Sequence, residues 1–485
     1  MHKSKLLKTL KKLSEDELHS FRVFVRSPYF NTNNDLVTLL EVIYSEGLLD
    51  KSPIDNSNVL AKIYPGKSYG LRRLTDLMYF LTNLLEEYLS VEGYRQNKFQ
   101  QKLMLMDLVY VKNLDALVNG VEKDLEQIHT QSSVRDSNYF YESFMIHSER
   151  DYGFRLHGSI AGNESLQIKS DQLDLFYLAL KLKDACEMIN RSRIISVDYS
   201  LEMLDVLVPY LLQNPELYTG HAAIQIYLNI YLMLTDDENE KYFFQLKKLA
   251  DENESTFIAE ELRSIYGYAQ NYCIRRLNQG NIDYLNHLFE IYKHILNSGL
   301  VFADNNNMQW EFKNFVSIGL RVKEYAWAYD VINIFKDKLP SDVRQNSYTY
   351  NLANYYYETS DYKKATKLLN SVDFTDIYYN LDSKVMLLKI YYKLEEDESF
   401  YALVSAFDIY MRRNKLISKD IAEMYHNLIH FTKKAFILKT KLPYERNKNY
   451  ERNLARLKQT IDKTKNIGNI NWLKDEIAEL ETQNN

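Results

Sequence analysis

The chain has 485 residues, of which 46% are hydrophobic and 26% are charged, which is typical of a protein that folds around a large core. Its formal net charge of −6 argues against a globally basic nucleic-acid binder, although local basic patches are compatible with it. Only 14 glycines and 7 prolines occur, and because strand-rich folds consume both residues, their scarcity predicts long helices with short connections.

Two further features predict a cytoplasmic location. The first residues contain lysines but no apolar run of seven or more, and no stretch of about 18 consecutive apolar residues occurs anywhere. We therefore expect neither a secretory signal nor a membrane span. Cys186 and Cys273 lie in apolar helical stretches outside any CxxC motif, which predicts buried free thiols in a reducing compartment.

Residues 1–92 are predicted to form a helical N-terminal unit. Ser14 and Glu17 have the spacing of a capping box at the start of one helix. Asn33 or Asn34 is expected to cap the next helix. In the last helix of this unit, apolar residues recur at i, i+3, i+4 and i+7, the pattern of one buried helix face.

Within this unit, AKIYPGKSYG (61–70) fits a loosened pattern of a phosphate-binding loop, with Ala61 in place of the first glycine. Such a loop needs a buried strand before it and backbone N–H groups that cradle the phosphates. A short helical pattern precedes this stretch instead, and Pro65 has no N–H to offer. We expect a turn in which Pro65 and Gly66 end one helix and Ser68 caps the next.

Residues 93–305 are predicted to form degenerate helical hairpins with a long loop near 153–165. The stretch GFRLHGSIAG (153–162) holds three of the fourteen glycines. Long loops often carry functional residues, but a simple connector is the favoured interpretation. A long helix (166–191) and further helix pairs are expected after it.

A repeat with a period of 37 residues appears in the C-terminal third. Tyr325 and Tyr362 are separated by 37 residues, and the same step joins Ala328, Ala365 and Ala402. A small residue at the alanine positions lets the second helix of a hairpin approach the first, while the aromatic fills the turn. The first helix of the third unit is displaced by two residues, and we expect its longer turn, EEDES, to restore the register.

These units resemble tetratricopeptide repeats. NLANYYYETSDYKKATKLL (351–369) has the small and aromatic residues of that family at the family's positions, and the preceding unit (312–340) adds the family's proline as Pro340. The family's tryptophan is absent, and its turn glycine is Lys323 in one unit and Ser360 in the next.

The resemblance implies an all-α fold in which the N-terminal unit leads into a right-handed α-solenoid of tetratricopeptide-like hairpins. In this division, residues 306–414 are the tetratricopeptide-like repeats and residues 415–485 are basic capping helices. Over its full length the chain also resembles a group of helical proteins from Bacteroidota-type bacteria, which carry similar SPYFN and LQ…D…LD…Y segments. That second resemblance implies a shared fold and no particular activity.

Candidate metal ligands occur on two helices. His426 and His430 are four residues apart with Glu423 one turn before them, so the three could share one helix face and bind Zn²⁺. His287 and His294 are seven residues apart on another helix. Because the HExxH pattern is absent and no further Cys or His is nearby, we expect packing roles for these histidines, with no metal and no cofactor.

Catalytic motifs are also absent from the sequence, including GxSxG, GxGxxG and clustered DxD. Paired carboxylates such as Glu260 and Glu261 are expected on a solvated helix face. We therefore expect a protein that is not an enzyme.

The strongest charge feature runs from Lys433 to Lys465, where eleven Lys/Arg stand against three Asp/Glu. It could contact nucleic acid or an acidic partner, although an exposed face of capping helices is the favoured interpretation. Tyrosine runs could line a peptide groove, with Tyr356 and Tyr391 in the core and their neighbours partly exposed. The candidate partner-binding residues are Tyr355, Tyr357, Lys433, Lys434, Lys439, Lys441, Arg446, Lys448, Arg452 and Arg456.

The sequence thus predicts a non-enzymatic scaffold that binds a protein or peptide through helical repeats. The alternative is a regulator that contacts nucleic acid through the basic C-terminal helices.

Overall fold

The computed structural model describes residues 4–47, 56–67, 69–156, 164–194, 197–236, 238–303, 308–371, 376–414, 417–441 and 448–484. Within these ranges the chain is all-helical, with 23 α-helices, three 3-10 helices and no strand, which confirms the predicted all-α class. None of these helices combines the length and the apolar character that a membrane span requires.

The chain divides into two compact units, residues 1–228 and 229–485, with the division inside α11. The predicted domain boundaries at 92, 305 and 414 stay predictions. The α-helices are numbered in chain order: α1 Lys5–Leu10, α2 Glu15–Arg26, α3 Asn34–Ser45, α4 Asn56–Ile63, α5 Leu71–Gln96, α6 Lys98–Val111, α7 Asp115–Gln131, α8 Ser137–Leu156, α9 Ser165–Ile194, α10 Leu204–Gln213, α11 Ala222–Thr235, α12 Lys241–Glu252, α13 Ala259–Asn278, α14 Tyr284–Asn297, α15 Met308–Arg321, α16 Tyr325–Phe335, α17 Ser341–Glu358, α18 Tyr362–Leu369, α19 Ile377–Leu394, α20 Asp397–Arg413, α21 Lys419–Lys441, α22 Lys448–Lys463 and α23 Ile470–Asn484.

Helices α1 to α5 pack around one hydrophobic core whose buried members run from Leu6 to Tyr88. The predicted capping box is confirmed: the Ser14 hydroxyl accepts from the Glu17 N–H, and the Glu17 carboxylate accepts from the Ser14 N–H at 2.7 Å. Of the two predicted caps for α3, Asn33 is the one that forms. The capped helix starts show that the chain's polar residues set these helix boundaries.

The stretch AKIYPGKSYG connects two helices, as predicted. It includes the end of α4 and the start region of α5, with Gly66 at φ 76° in the turn. The predicted cap at Ser68 is wrong, because the N-cap of α5 is Gly70, which has no side chain to offer; Ser68 itself lies outside the described residues. A helix precedes the turn, so this part of the chain lacks the strand that a phosphate-binding loop requires.

The turn before α5 is held by a polar triad. The Tyr64 hydroxyl donates to Asp35, and Arg73 donates to the Tyr64 oxygen and to the Asp35 carboxylate, both at 2.8 Å. The hydrogen bond from Tyr64 contributes most to holding the pKa of Asp35 below its ordinary value. These contacts link α3, the turn and α5.

The rest of the first unit contains the pairs α6/α7 and α8/α9, with α6 also packed on α8. The predicted loop at 153–165 starts later than expected, because α8 continues to Leu156. Gly153 lies inside that helix, where an added Cβ would come within 2.6 Å of the Tyr110 ring. Close helix packing therefore explains this glycine, and residues 157–163 lie outside the described part of the chain.

In the second unit, successive helix pairs pack on one another. Helix α15 packs on α16 and α17, α17 packs on α18 and α19, and α19 packs on α20. Ala328 and Ala365 have no exposed surface, as predicted for the small residues of the second helices. A further core joins α19 and α20 to α21, α22 and α23.

Five helix–helix turns in the described residues share one backbone form. In each, a residue one or two positions after the first helix adopts a positive φ, and the N–H of the following residue bonds to the carbonyl five residues before it, as Glu324 does to Gly319 at 2.9 Å. The turns follow α6, α13, α15, α17 and α19. The positive-φ residues are Asn113, Gly280, Lys323, Ser360 and Glu395.

The predicted register of the third hairpin is wrong. Ala402 is exposed, and Phe400, 35 residues after Ala365, occupies the buried position. The segment EEDES is not a longer turn: Glu395 and Glu396 separate α19 from α20, whereas three residues, 359–361, separate α17 from α18. In both hairpins the second helix begins two residues after the positive-φ residue, Ser360 or Glu395, so the two-residue displacement of α19 passes on to α20.

Candidate functional site

The two candidate tyrosines lie on α17 and are half-buried. The Tyr355 ring contacts Tyr329 of α16, with centroids 5.1 Å apart, and Tyr357 contacts Tyr362 of α18 at 5.9 Å. Burial raises the pKa of Tyr357. Both side chains therefore help to join neighbouring helices, and only part of each ring is open to a partner.

The expected core tyrosines need a correction. Tyr356 and Tyr391 are half-buried against core clusters. Of the adjacent pair Tyr391 and Tyr392, it is Tyr392 that is fully buried, at 1% exposed. Tyr392 contacts Phe436 and Trp472, so the helices that follow α20 cover this position. Only a few partly exposed rings of the tyrosine runs are therefore accessible to a partner.

The basic candidates do not form one continuous surface. Lys433 extends over the Tyr401 ring, and the Lys439 side chain is only 10% exposed, 4.7 Å above the Tyr392 ring. Arg452 is exposed on α22. Arg446 lies outside the described residues, and of Lys441 and Lys448 only the helical backbone is described.

Two of the basic candidates line the same cavity, which has a volume of about 270 Å³ and lies between α21 and α22. Lys434 and Arg456 line it, together with Asn453 and Thr460. Its apolar floor is formed by Ile437, Leu438 and Leu457. Neither cation forms an ion pair with a described carboxylate, so this cavity is an electropositive site suited to an anionic group.

A second cavity, which we call the α9–α10 groove, lies in the first unit and has a volume of about 460 Å³. Its residues from α9 include Asp171, Asp174 and Tyr177, and α10 contributes Tyr210. Tyr177 and Tyr210 are 38% and 52% exposed, which leaves apolar ring surface in contact with water. Five further residues complete the lining: Leu175, Leu178, Leu207, Leu217 and His221.

The charge of the α9–α10 groove is acidic. Asp171 accepts a hydrogen bond from Gln167 at 2.7 Å, and no described lysine or arginine forms an ion pair with Asp171 or Asp174. Around the groove, large apolar side chains remain exposed, including Met203 at 59% and Val206 at 71%. The combination of an apolar floor and unneutralised carboxylates suits a ligand with an apolar face and a positive charge.

The packing prediction for the two histidines of α21 holds for His426, which contacts α20, and is wrong for His430, which is exposed. His426 lies 3.0 Å from the carboxylate of Asp408 on α20, through its Nδ1 atom. Glu423 and His430 are exposed, and these residues do not converge as a ligand set. The packing interpretation of His426 therefore agrees with its surroundings.

Among the described residues, one group of three metal-ligating side chains does converge: Asp251, Glu254 and His294, with one ligand atom from each within 4.8 Å of the others. His294 Nε2 lies 2.8 Å from Glu254 Oε1. The Tyr266 hydroxyl lies 2.7 Å from Asp251 Oδ1 and 3.2 Å from Glu254 Oε1. Sequence spacing alone missed this group, because its members come from three separate elements.

His287, the other histidine of α14, has different neighbours. Its ring contacts Phe243, Phe244 and Tyr284, at centroid distances between 5.3 and 5.8 Å. It is therefore an aromatic packing residue, as predicted, whereas His294 and the exposed His430 depart from that expectation.

One described lysine, Lys389, has a lowered pKa. Burial lowers the pKa of Lys389 to about 8, and its ammonium donates to the Asn469 side chain at 2.7 Å and lies 5.3 Å above the Trp472 ring. Nucleophilic lysines share such a lowered pKa. In this protein the contacts join α19 to α23, and we interpret Lys389 as part of that helix interface.

Two further predictions can be compared with the structure. Cys186 and Cys273 are buried free thiols, as expected, and burial raises the pKa of both, that of Cys273 to about 12. The solvated placement of Glu260 and Glu261 is only half right. Glu260 is exposed, but Glu261 is 6% exposed and points into the unit's interior.

Comparison of the chain with family models, with curated proteins and with solved structures returns no match.

Proposed function

We propose that this chain is a non-enzymatic scaffold that binds a protein or peptide, built as a right-handed solenoid of helical hairpins and acting in the cytoplasm. The α9–α10 groove is the observation that carries this proposal. It offers exposed apolar surface beside Asp171 and Asp174, and its volume is within the range of about 300–1,000 Å³ found for ligand sites.

The solenoid is supported by the order in which the helices pack. First helices of successive hairpins contact each other, α15 with α17 and α17 with α19, and each second helix also contacts the next first helix. A hairpin with one apolar face cannot bury it alone, so stacking of neighbours is the arrangement that stabilises such units.

The occupant that fits the groove is an amphipathic segment with an apolar face and lysine or arginine beside it. Its apolar side chains would cover the ring faces of Tyr177 and Tyr210, and its cations would neutralise the two aspartates. Removing this apolar surface from water gives about 25 cal/mol per Å², so the exposed rings and leucines favour such a partner.

The test is a selection of peptides from a random display library on the full-length protein, followed by affinity measurements by fluorescence anisotropy. Selected peptides should carry apolar residues at i, i+3 and i+4 with nearby Lys or Arg. Tyr210→Asp and Leu217→Asp should each weaken their binding at least tenfold, and Asp174→Lys should weaken the most basic peptides most.

The control is Ile282→Asp, since Ile282 is 75% exposed in the other unit and outside the groove. This variant should bind the selected peptides as the unmodified protein does. Peptides without basic residues, or equal affinity for the groove variants and the control, would contradict the proposal.

A second candidate function rests on the cavity between α21 and α22, where Lys434 and Arg456 could hold phosphates of a nucleic acid. If they do, the double variant Lys434→Glu and Arg456→Glu should lower the slope of log affinity against log salt by about two, one for each phosphate that is no longer neutralised. Single-stranded RNA and duplex DNA are the probes. An unchanged slope, or no binding by the unmodified protein at low salt, would exclude this candidate.

A further inference from the structure

We propose that Asp251, Glu254 and His294 bind a divalent transition-metal ion of the Zn²⁺ class. The three residues lie in the second unit, whereas the α9–α10 groove lies in the first, so this inference does not depend on the proposed function.

The ligands come from three elements that packing brings together. Asp251 lies in the last turn of α12, Glu254 begins the 3-10 helix Glu254–Thr256, and His294 lies in the last turn of α14. Their ligand atoms are within 4.8 Å of one another. Around Zn²⁺ with bonds of about 2.0–2.2 Å, tetrahedral ligand atoms are about 3.4 Å apart, so side-chain shifts of about 1 Å complete the site.

The short distance between His294 and Glu254 indicates neighbouring ligands. The Nε2 atom of His294 is buried and lies 2.8 Å from Glu254 Oε1, yet it makes no hydrogen bond to any described residue. The carboxylate oxygen therefore lies beside the imidazole nitrogen, away from the direction in which an N–H would donate. Two ligands of one cation have this side-by-side arrangement.

The charges around the site also favour a cation. The Tyr266 hydroxyl lies between Asp251 and Glu254, but it carries a single proton and can donate to only one carboxylate at a time. No described lysine or arginine forms an ion pair with Asp251 or Glu254. A divalent cation would neutralise both carboxylates, which otherwise repel each other.

Tyr266 would orient the ligands without binding the metal itself. Its hydroxyl donates to Asp251 Oδ1 at 2.7 Å. Hydrogen bonds of this kind orient ligating carboxylates. Tyr266 also contacts the His294 ring, with centroids 4.8 Å apart, which limits the rotation of the imidazole.

The ligand chemistry selects the class of metal. One imidazole with two carboxylates suits Zn²⁺ and its first-row neighbours. Ca²⁺ takes six to eight oxygen ligands and Mg²⁺ takes six, so neither matches a site with a nitrogen ligand.

The experiment uses the full-length chain without a histidine tag, freed of metal with a chelator. Calorimetric titration with Zn²⁺ should show one tight equivalent, and Co²⁺ should give the visible absorption bands of a tetrahedral site. His294→Ala and Glu254→Gln should each weaken Zn²⁺ binding by roughly 10- to 100-fold and remove the Co²⁺ bands.

The matched control is His287→Ala, seven residues earlier on α14, which should bind Zn²⁺ as the unmodified chain does. Asp251→Asn is a nearly isosteric second variant, and circular dichroism shows that each variant is folded. The proposal is overturned if the unmodified chain binds no Zn²⁺ in the micromolar range, or if folded His294→Ala and Asp251→Asn retain its affinity.

Discussion

Glycine at three turns of the second unit should stabilise the protein. Lys323, Ser360 and Glu395 have φ angles of 64°, 63° and 57°, in the left-handed region that side chains with a Cβ disfavour. All three side chains are exposed, and Glu395 makes only a 3.9 Å contact with Lys439, so replacement removes no core packing.

The magnitude follows from two opposing terms. A residue with a Cβ in the left-handed region costs about 1–2 kcal/mol, which glycine avoids. Glycine loses about 0.4–1 kcal/mol more conformational entropy on folding. The net gain is therefore about 0.5–1 kcal/mol per site and about 2 kcal/mol for the triple variant if the sites act independently.

Tryptophan fluorescence provides the assay. The three tryptophans, Trp310, Trp327 and Trp472, all lie in residues 229–485, so their emission reports the unfolding of the second unit. With a urea dependence of about 3 kcal/mol per molar, the midpoint should rise by about 0.2 M for a single variant and about 0.7 M for the triple.

Two controls separate the backbone effect from the loss of a side chain. Arg321→Gly changes an exposed residue in the last turn of α15, where φ is right-handed, and should cost about 1 kcal/mol. Lys323→Ala keeps a Cβ at the turn and should give no gain. If the three turn glycines lower the midpoint as Arg321→Gly does, the left-handed backbone does not limit stability and the reasoning is wrong.

Two further substitutions test close packing and electrostatics. Gly319→Ala should destabilise the second unit by about 1–3 kcal/mol, because its Cβ would come within 2.7 Å of the Trp327 ring. Gly267→Ala, whose Cβ would make only an ordinary contact at 3.6 Å, should be neutral or stabilising. Fluorescence-monitored urea unfolding measures both variants. Asp35→Asn should lower the thermal midpoint followed by circular dichroism at pH 7. Since the Tyr64 hydrogen bond lowers the folded-state pKa of Asp35, this difference should shrink as the pH falls below about 4.

Local signals in the sequence predicted much of the fold. The capping box at Ser14 and the cap at Asn33 depend on residues within three positions of each other, so no knowledge of distant packing was needed. The helical class followed from apolar periodicity in the same way. The prediction of Ser68 as the cap of α5 was wrong because it assumed a side-chain hydrogen bond, whereas Gly70 begins that helix without one.

The third hairpin shows where a repeat pattern misleads. Ala402 matched the 37-residue period, yet alanine is equally suited to an exposed helix face, which is where Ala402 lies. The buried position went to Phe400, whose ring stacks on Phe436 at 4.0 Å, a contact with a helix outside the hairpin. Only the tertiary neighbour distinguishes these alternatives.

The candidate sites were harder to predict than the fold. The charge density on α21 and α22 includes Lys434 and Arg456, which line one cavity, but the Lys439 side chain is largely buried, with its ammonium 4.7 Å from the Tyr392 ring. The group around His294 was missed, since a search over helical spacings compares residues of one helix and these ligands belong to three elements.

The shared turn explains why the repeat is so weak in the sequence. Asn113, Gly280, Lys323, Ser360 and Glu395 differ in charge and size, yet all follow a helix with positive φ and the same backbone hydrogen bond. What recurs is therefore a backbone conformation, which several residue types can adopt at modest cost. The spacing also varies: Lys323 and Ser360 are 37 residues apart, and Ser360 and Glu395 are 35 residues apart. Because Asn113 lies in the first unit, we infer that hairpins of the same kind extend beyond the segment in which the period is readable. Asn113→Gly should then stabilise the first unit less than the other turn glycines stabilise the second, because asparagine adopts the left-handed region at lower cost than lysine, serine or glutamate.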